Sequence, residues 1–372
     1  MTSKLNTGKR VAAVAAAALC AVSGLAQAQD KPLEVKISGQ INRMLVYADD
    51  GDQNTVFNAD NINSSTRFRF VGEKEFMPGV SAGVNWEVEY TSQRSSSIAF
   101  GNRAGGQSSG PTFGERHTEA FIKSAQFGRL GLGQGDGANN GNIEIDLSGT
   151  SVIQYSGVTD VGGGFRFRNR NVAGAANGPT LASTINNFDF ESRYDRVRYD
   201  TPAIGPIVLS ASYGNKGEDS VFELGGRVAS KVPFGQVAGA FGYSQVKGNA
   251  ARGDIETWGG SVAFISDTGF NAAVALSDNS DDVNGATTSK SGKFLYGKLG
   301  YKKGMHAVAV DYGRGKDQAL NDDKSTVIGL GYVMTPKPWL ELYAQVKQHD
   351  LNRTGSSFDQ VTFAGAGTRI KF

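Results

Sequence analysis

Two pairs of arginines, each pair spaced two residues apart, are the residues of this sequence best suited to a charge-based function. Arg67 and Arg69 alternate with phenylalanines, and Arg196 and Arg198 alternate with a valine and a tyrosine. Successive side chains of a β-strand point to opposite faces, so each arginine pair is predicted to lie on a polar face. Arg129 stands in the opposite phase to the leucines that follow it and is assigned to the same kind of face. Guanidinium groups on the wall of a narrow aqueous passage bias which ions go through it.

Two carboxylates could face these cations from a loop. Glu144 and Asp146 are two residues apart, so they lie on one side of the chain if this segment is extended. We therefore expect a constriction with cations on its wall and carboxylates on a loop, whose transverse field orients dipolar solutes. The alternative is that all these charges are simply solvated, because every inward position of a water-filled passage must be polar.

The sequence offers little for catalysis or metal binding. The only histidines, His117, His306 and His349, are far apart and lack metal-ligand spacing. The glycine-rich segment 131–135 is not followed by an amphipathic helix, so it is interpreted as strand and turn rather than as a nucleotide loop. The acidic segment 278–282 lacks a complete calcium-loop pattern and is interpreted as a solvated loop. The sequence therefore predicts no enzyme activity, no cofactor and no metal site.

The elements that position these residues show a period of two from end to end. In segments such as 80–91 and 340–346, apolar and polar side chains alternate strictly, which indicates strands with one apolar and one polar face. After the first 28 residues no apolar run approaches the ~18 residues of a spanning helix. Lipid offers no hydrogen bonds, so a sheet that spans it must close on itself. The pattern predicts an all-β, transmembrane antiparallel barrel.

The connections between these strands differ in length in a regular way. Short turns containing glycine or proline, such as 77–79 and 303–304, alternate with long polar stretches, such as 49–64 and 93–114. Membrane barrels place their tight turns in the periplasm and their long loops outside. Counting segments gives about sixteen strands, an even number as expected for such barrels, with an error of two. A secreted soluble β-protein, the alternative, has no reason to sort its loops in this way.

The first 28 residues read as a secretory signal peptide. Lys4, Lys9 and Arg10 precede an alanine-rich apolar run that ends in a small-residue cleavage signal, and the run is too short for a membrane anchor. These residues carry three basic and no acidic side chains, so residues 29–372 retain 35 Lys and Arg against 36 Asp and Glu. That near-neutral balance gives no indication of nucleic-acid binding. Cys20, the only cysteine, belongs to the same segment.

Arg43 does not fit the alternation, because it falls in the apolar phase with Ile41 and Leu45. An unpaired arginine that faces lipid near the midplane costs about 2–4 kcal/mol. We expect its guanidinium to be covered at a subunit interface, or to lie near the membrane edge where a long side chain reaches water. The first possibility favours an oligomer.

At this point the residues resemble the Gram-negative general porins, in the branch typical of proteobacteria. The resemblance rests on an opening strand and loop, the strand before a pore-narrowing loop, that loop itself, the strand after it, and a terminal-phenylalanine strand. These are, in order, Val35-Lys36-Ile37-Ser38-Gly39-Gln40-Ile41-Asn42-Arg43 with Tyr47-Ala48-Asp49-Asp50-Gly51, Phe127-Gly128-Arg129-Leu130-Gly131-Leu132-Gly133-Gln134-Gly135, Gly141-Asn142-Ile143-Glu144-Ile145-Asp146-Leu147-Ser148-Gly149-Thr150, Arg196-Val197-Arg198-Tyr199-Asp200-Thr201-Pro202 and Arg369-Ile370-Lys371-Phe372.

The resemblance implies an outer-membrane barrel of residues 29–372, usually a homotrimer, with its third external loop folded into the lumen. It implies passive passage of small hydrophilic solutes and ions, with outer-membrane lipid and lipopolysaccharide as neighbours. A substrate-selective channel and an outer-membrane barrel enzyme are the alternatives. The segment 135–190 is longer than the family pattern, so we expect a constricting part plus an extra excursion around 173–185.

Overall fold

The structure is a computed structural model that describes residues 33–101, 111–172, 178–248, 253–281 and 290–372. The predicted signal peptide and part of the predicted excursion, residues 173–177, lie outside these ranges. Within them, no helix is both long enough and apolar enough to cross a membrane.

The described residues form one antiparallel sheet of 17 strands. The strands are β1 Val35–Asp49, β2 Asn54–Asp60, β3 Arg67–Met77, β4 Val80–Thr91, β5 Thr112–Ser124, β6 Gly128–Asp136, β7 Arg193–Asp200, β8 Ile207–Lys216, β9 Asp219–Val232, β10 Gly235–Lys247, β11 Ile255–Ser266, β12 Phe270–Asp281, β13 Lys290–Lys303, β14 His306–Lys316, β15 Lys324–Lys337, β16 Leu340–Asn352 and β17 Val361–Lys371. One short helix, α1, spans Leu181–Thr184.

The sheet closes because β1 pairs with β17 along one edge and with β2 and β3 along the other. Residues 43–49 of β1 pair with β2, and residues 35–40 of β1 pair with β3. β2 and β3 therefore lie end to end and together occupy one strand position of the barrel wall, which we call a stave. A 3₁₀ turn, Ile62–Ser64, interrupts that stave, and the side chain of Asn61 caps it by accepting the N–H of Asn63. The barrel therefore has 16 staves, and the predicted fold is confirmed.

Alternation of faces follows the predicted period of two. In β14 each exposed residue is followed by a more buried one, with Val308, Val310 and Tyr312 on the outside and Ala309 and Asp311 on the inside. Outward-facing apolar side chains of this kind contact lipid, and they alternate along each strand with side chains that face the interior of the barrel. Tight turns connect neighbouring strands at one end of the barrel. Gly79 and Gly304 adopt positive φ in two of these turns, a conformation that glycine takes without strain.

The longest connection, between β6 and β7, lies against the inside of the barrel in two described parts, 137–165 and 178–192. Its outgoing arm, residues 137–165, follows the inner wall from one strand to the next. Its wall contacts include Asn139 Nδ2 to Tyr243 O of β10 at 2.8 Å, Asn142 O to Ser261 Oγ of β11 at 2.7 Å, Asp146 Oδ2 to Lys298 Nζ of β13 at 2.5 Å and Val158 O to Lys347 Nζ of β16 at 3.3 Å.

A return arm, residues 178–192, runs back along the same wall. It contacts β15, β12 and β9 in turn, through Thr184 Oγ1 to Ser325 Oγ at 3.2 Å, Asn187 O to Ser277 Oγ at 2.6 Å and Glu191 N to Glu223 Oε1 at 3.2 Å. The carboxylate of Asp189 joins the two arms, because it accepts the backbone N–H groups of Gly141 at 2.6 Å and Ile143 at 3.0 Å.

An apolar cluster, which we call the apolar anchor, holds the far end of the outgoing arm. Phe165 is fully buried and packs on Phe57 of β2 and Phe363 of β17, with ring centroids 5.5 and 6.1 Å apart. Met44, Val46 and Ala48 of β1 and Val361 of β17 belong to the same cluster. The expectation that every inward position is polar is therefore wrong on these strands, because the loop covers them and excludes water.

Candidate functional site in the barrel lumen

An arginine-rich wall lies on β3 and β5, in strands that follow those of the apolar anchor in strand order. Three guanidinium groups, those of Arg67, Arg69 and Arg116, converge on the carboxylate of Glu87. Arg67 Nη1 lies 3.4 Å and Arg116 Nε 2.5 Å from Glu87 Oε1. Charge-assisted contacts of this kind fix the planes of the guanidinium groups.

The register of β3 against β4 explains why these groups meet. Arg67 lies opposite Glu89 and Arg69 lies opposite Glu87, so both arginines share an inward face with both glutamates. On the outer face of the same strands, Phe70 stacks on Trp86 with ring centroids 5.1 Å apart. The predicted directions of Arg67 and Arg69 are thus the observed ones.

Four arginines and two glutamates make up this part of the wall. Arg94 Nη1 is 2.7 Å from Glu89 Oε1, and Arg116 Nη1 is 3.0 Å from Glu89 Oε2. The cluster therefore carries more positive than negative charge. Arg69 is its most exposed member, with 44% of its side chain accessible to water.

The two arginines of β7 are held more tightly. Arg196 pairs with Glu119 and donates to the carbonyl oxygens of Gly133 at 3.0 Å and Asp136 at 2.9 Å, and only 1% of its side chain is exposed. It therefore does not face the water of the lumen, contrary to expectation; it fixes the start of the loop. Arg198 is also held, by Asp200 Oδ1 at 2.8 Å and by Gly137 O at 2.7 Å.

Arg129 lies beside the short turn that joins β5 to β6, at the opposite end of the barrel from the long loops. Its guanidinium pairs with Glu119 and lies 4.6 Å from the ring centroid of Phe121. Its ion-pair partner is thus Glu119 and not Glu87, which Arg67 and Arg69 share.

The two loop carboxylates do not act as a pair, because the chain turns between them. Glu144 accepts a hydrogen bond from Asn187 Nδ2 at 3.0 Å. Asp146 points to the wall, where it pairs with Lys298 at 2.5 Å, and at most 4% of either side chain is exposed. Burial of Asp146 in an ion pair removes it from the lumen, so only Glu144 remains available to face the passage.

Burial, and after it the negative charges of Asp189 and Asp160, raises the pKa of Glu144 well above its usual value. Burial likewise raises the pKa of Asp160, whose carboxylate accepts a hydrogen bond from Tyr155. The loop therefore offers carboxyl groups that are easily neutralised, whereas guanidinium groups keep their charge.

A cavity of about 190 Å³ separates the loop from the wall at the interrupted stave. Glu144 and Tyr155 line it from the loop, and Asn63, Ser64 and Arg369 line it from the wall. Arg369 is oriented by Glu341 Oε2 at 2.6 Å and by Ser64 Oγ at 2.6 Å. A guanidinium on the wall thus faces a carboxyl group on the loop.

A family model described as Gram-negative porin matches residues 15–354. The chain belongs to the Gram-negative porin family. A barrel of this family lies in the outer membrane and forms a channel for diffusion. No curated protein sequence matches this porin.

Solved structures share the fold of this porin at low sequence identity. The anion-selective porin from Comamonas acidovorans has a TM-score of 0.64 at 17% identity, covering 92% of this chain and 100% of that chain. In-vitro folded OmpT of Vibrio cholerae, in a trimer form, has a TM-score of 0.59 at 14% identity, covering 92% and 100%. Salmonella typhi OmpF in complex with daunomycin has a TM-score of 0.59 at 15% identity, covering 91% and 98%.

Not every candidate site residue of the porin can be assigned to a face from the alternation along its strand. Arg116 sits at a β-bulge, where the pairing of β5 with β4 shifts between Glu87 and Val88. An extra residue reverses the phase on one side of a bulge, so alternation alone does not assign Arg116. Arg369 does lie in regular phase in β17 and could have been found from it.

Arg43 of the porin points outward as its phase predicts, but its cover comes from its own chain. Its guanidinium binds Asp60 Oδ1 at 2.6 Å, Asn58 Oδ1 at 2.7 Å and Ser92 Oγ at 2.8 Å. The inference from Arg43 to an oligomer therefore loses its force. The roles of Arg67, Arg69, Arg198 and Glu144 in a constriction stay a prediction.

Proposed function

We propose that this porin passes small hydrophilic solutes and ions by passive diffusion, without covalent chemistry, and that it favours anions. The observation that carries the preference is the cluster of Arg67, Arg69, Arg94 and Arg116 on only two carboxylates, Glu87 and Glu89. Charge of one sign in a narrow, low-dielectric passage raises the local concentration of the opposite ions.

The loop does little to cancel this asymmetry. Asp146 is already neutralised by Lys298, and the pKa of Glu144 is raised by burial. The arginine wall is thus opposed by little fixed negative charge. The likeness in fold to a porin described as anion-selective agrees with the proposal.

The test is the reversal potential of single channels in a planar bilayer across a tenfold KCl gradient. For the native protein we expect a reversal potential whose sign indicates that anions are more permeant than cations. Arg67→Ala together with Arg69→Ala should raise the conductance and shift the reversal potential toward that of a cation-selective channel. Unchanged potentials in the double variant would remove both arginines from the filter.

A substrate-selective channel is the second candidate. The cavity of about 190 Å³ between the loop and the wall, beside Asn63 and Arg369, favours it. Such a channel binds its solute in the lumen, so its conductance should saturate with solute concentration. A linear rise of flux with solute concentration in liposomes would leave the non-specific reading.

We further propose that residues 1–28 are cleaved during export, and that the barrel of residues 29–372 assembles as a homotrimer within lipid and lipopolysaccharide. The trimer form named for a structure of similar fold supports the assembly. Sequencing of the mature N-terminus and a heat-modifiable band on gels test these two points. Residues 135–190 are proposed to supply the constricting loop.

A further inference from the structure

A second pocket lies at the outer mouth of the barrel, on the same side as the return arm. It has a volume of about 290 Å³ and lies between that arm and the inner faces of β11 and β12. Asn186, Phe188 and Phe190 line it from the arm, and Ile255, Thr257 and Asn279 line it from the wall. It shares no lining residue with the cavity beside Arg369.

The backbone that presents the two phenylalanines is strained. Phe188 and Phe190 both have φ of 52°, a region that bulky side chains seldom occupy. Asn186 Oδ1 holds the turn by accepting the N–H of Phe188 at 2.7 Å. Both rings are half-buried, because they pack on one side against a buried cluster that includes Ile185 and leave the other side accessible. Such strain persists where the surrounding structure enforces it, often at a binding site.

The polar groups of the pocket favour a neutral ligand. The carboxylate of Asp189 is bound to two backbone N–H groups, and Glu191 pairs with Lys216 at 2.9 Å. Asn279 donates from Nδ2 to Thr257 Oγ1 at 2.8 Å, which orients its Oδ1 as an acceptor. Apolar rings beside an amide match a solute with one apolar face and hydroxyl groups around its edge.

We propose that this pocket binds hydroxylated ring solutes of the pyranose type before they enter the constriction. The site rests on the proposed channel function but is independent of the charge preference. Its volume, about 290 Å³, is below that of most pockets for drug-sized ligands, which limits the ligand to a small ring compound. Phe190 supplies the apolar face, and Asn279 accepts from a hydroxyl group.

The experiment measures current fluctuations of single channels with D-glucose added on the outer side. Binding should appear as brief, saturable reductions in current, and Phe190→Ala should weaken it about threefold to tenfold, the range expected from losing one aromatic contact. Sorbitol carries the same hydroxyl chemistry without a ring face, so it should produce little fluctuation. Phe127→Ala, on an exposed turn at the opposite end of the barrel, is the matched control and should leave glucose binding unchanged.

Asn279→Ala keeps the test decisive if Phe190→Ala fails to assemble, because it changes a wall strand and spares the strained turn. Equal glucose affinity in the native protein and in this variant would overturn the proposal, as would equal responses to glucose and sorbitol. The reversal potential in KCl should be unaffected by either variant. A failure here is therefore distinct from a failure of the anion preference, which the Arg67 and Arg69 substitutions test.

Discussion

The apolar anchor and the arginine wall are both parts of the same inner surface, yet they perform opposite tasks. The anchor fills its side of the barrel with Phe57, Phe165 and Phe363 and excludes water. The wall gathers guanidinium groups on Glu87 and keeps them partly hydrated. The comparison shows that neighbouring strands of one barrel can either hold a loop by apolar packing or present charge to the passing solute.

The anchor predicts the largest effect of a single substitution. Phe165→Ala leaves a cavity among three aromatic rings and should remove about 3–5 kcal/mol of packing energy. We expect the end of the loop to detach and single-channel conductance to rise. Trypsin should then cleave after Arg166 in folded barrels, which gives a second measurement.

Phe127→Ala is the control for that substitution, because its side chain is exposed at a short turn. It should change neither conductance nor cleavage. If Phe165→Ala retained native conductance and resisted trypsin, the anchor would not be what holds the loop.

A buried ion pair between the loop and β13 should give the next largest effect. Lys298→Met leaves the carboxylate of Asp146 buried without its partner, which costs about 3–5 kcal/mol. The temperature at which the barrel unfolds in detergent should fall. Adding Asp146→Leu should recover much of the loss, since replacing both charges is less costly than removing one. No recovery would show that the pair is not coupled as the geometry indicates.

The wall predicts an effect on selectivity with little effect on stability. Arg69→Ala removes the most exposed guanidinium of the cluster and should lower the anion-to-cation permeability ratio by about twofold or more. Arg129→Ala removes a less exposed guanidinium that is paired with Glu119 outside the cluster, and should change the ratio less. Equal shifts for the two variants would mean that the field is spread along the lumen rather than concentrated at β3 and β5.

The loop predicts the smallest effect, on the pH dependence of the channel. Burial and the charge of Glu223 raise the pKa of Asp189 to about 6, although two backbone N–H groups favour its charged form. Asp189 is thus charged at pH 7 and largely neutral at pH 5, so anion preference should increase as pH falls across this range. Asp189→Asn should flatten that change, and reversal potentials measured at pH 5 and pH 7 test it.

The barrel and the direction of most wall side chains could be predicted from the sequence, because a period of two survives in every regular strand. Arg67 and Arg69 follow it. Arg116 does not, since a bulge shifts its phase. The alternation along a strand gives the direction of a side chain but not its burial. It therefore predicts that Arg196 faces the water of the lumen, although Glu119 and two carbonyl groups enclose its guanidinium.

The path of the loop depends on contacts that are distant in sequence. Asp146 meets Lys298, which lies 152 residues further along the chain. Local spacing placed Asp146 beside Glu144 on one face, and only the wall decides that it turns away. The same holds for the inward apolar residues of β1, which look misplaced until Phe165 covers them.

The anchor also bears on how the molecule is made. Phe57 comes from near the start of the chain, Phe165 from its middle and Phe363 from its last strand, and all three share one cluster. The apolar anchor stays incomplete until the final strand has been synthesised and has paired with the first. Packing of the outgoing arm on the barrel wall is therefore a late assembly step, governed by long-range contacts that form slowly. In a nascent barrel that lacks its last hairpin, the arm would not be held by the apolar anchor.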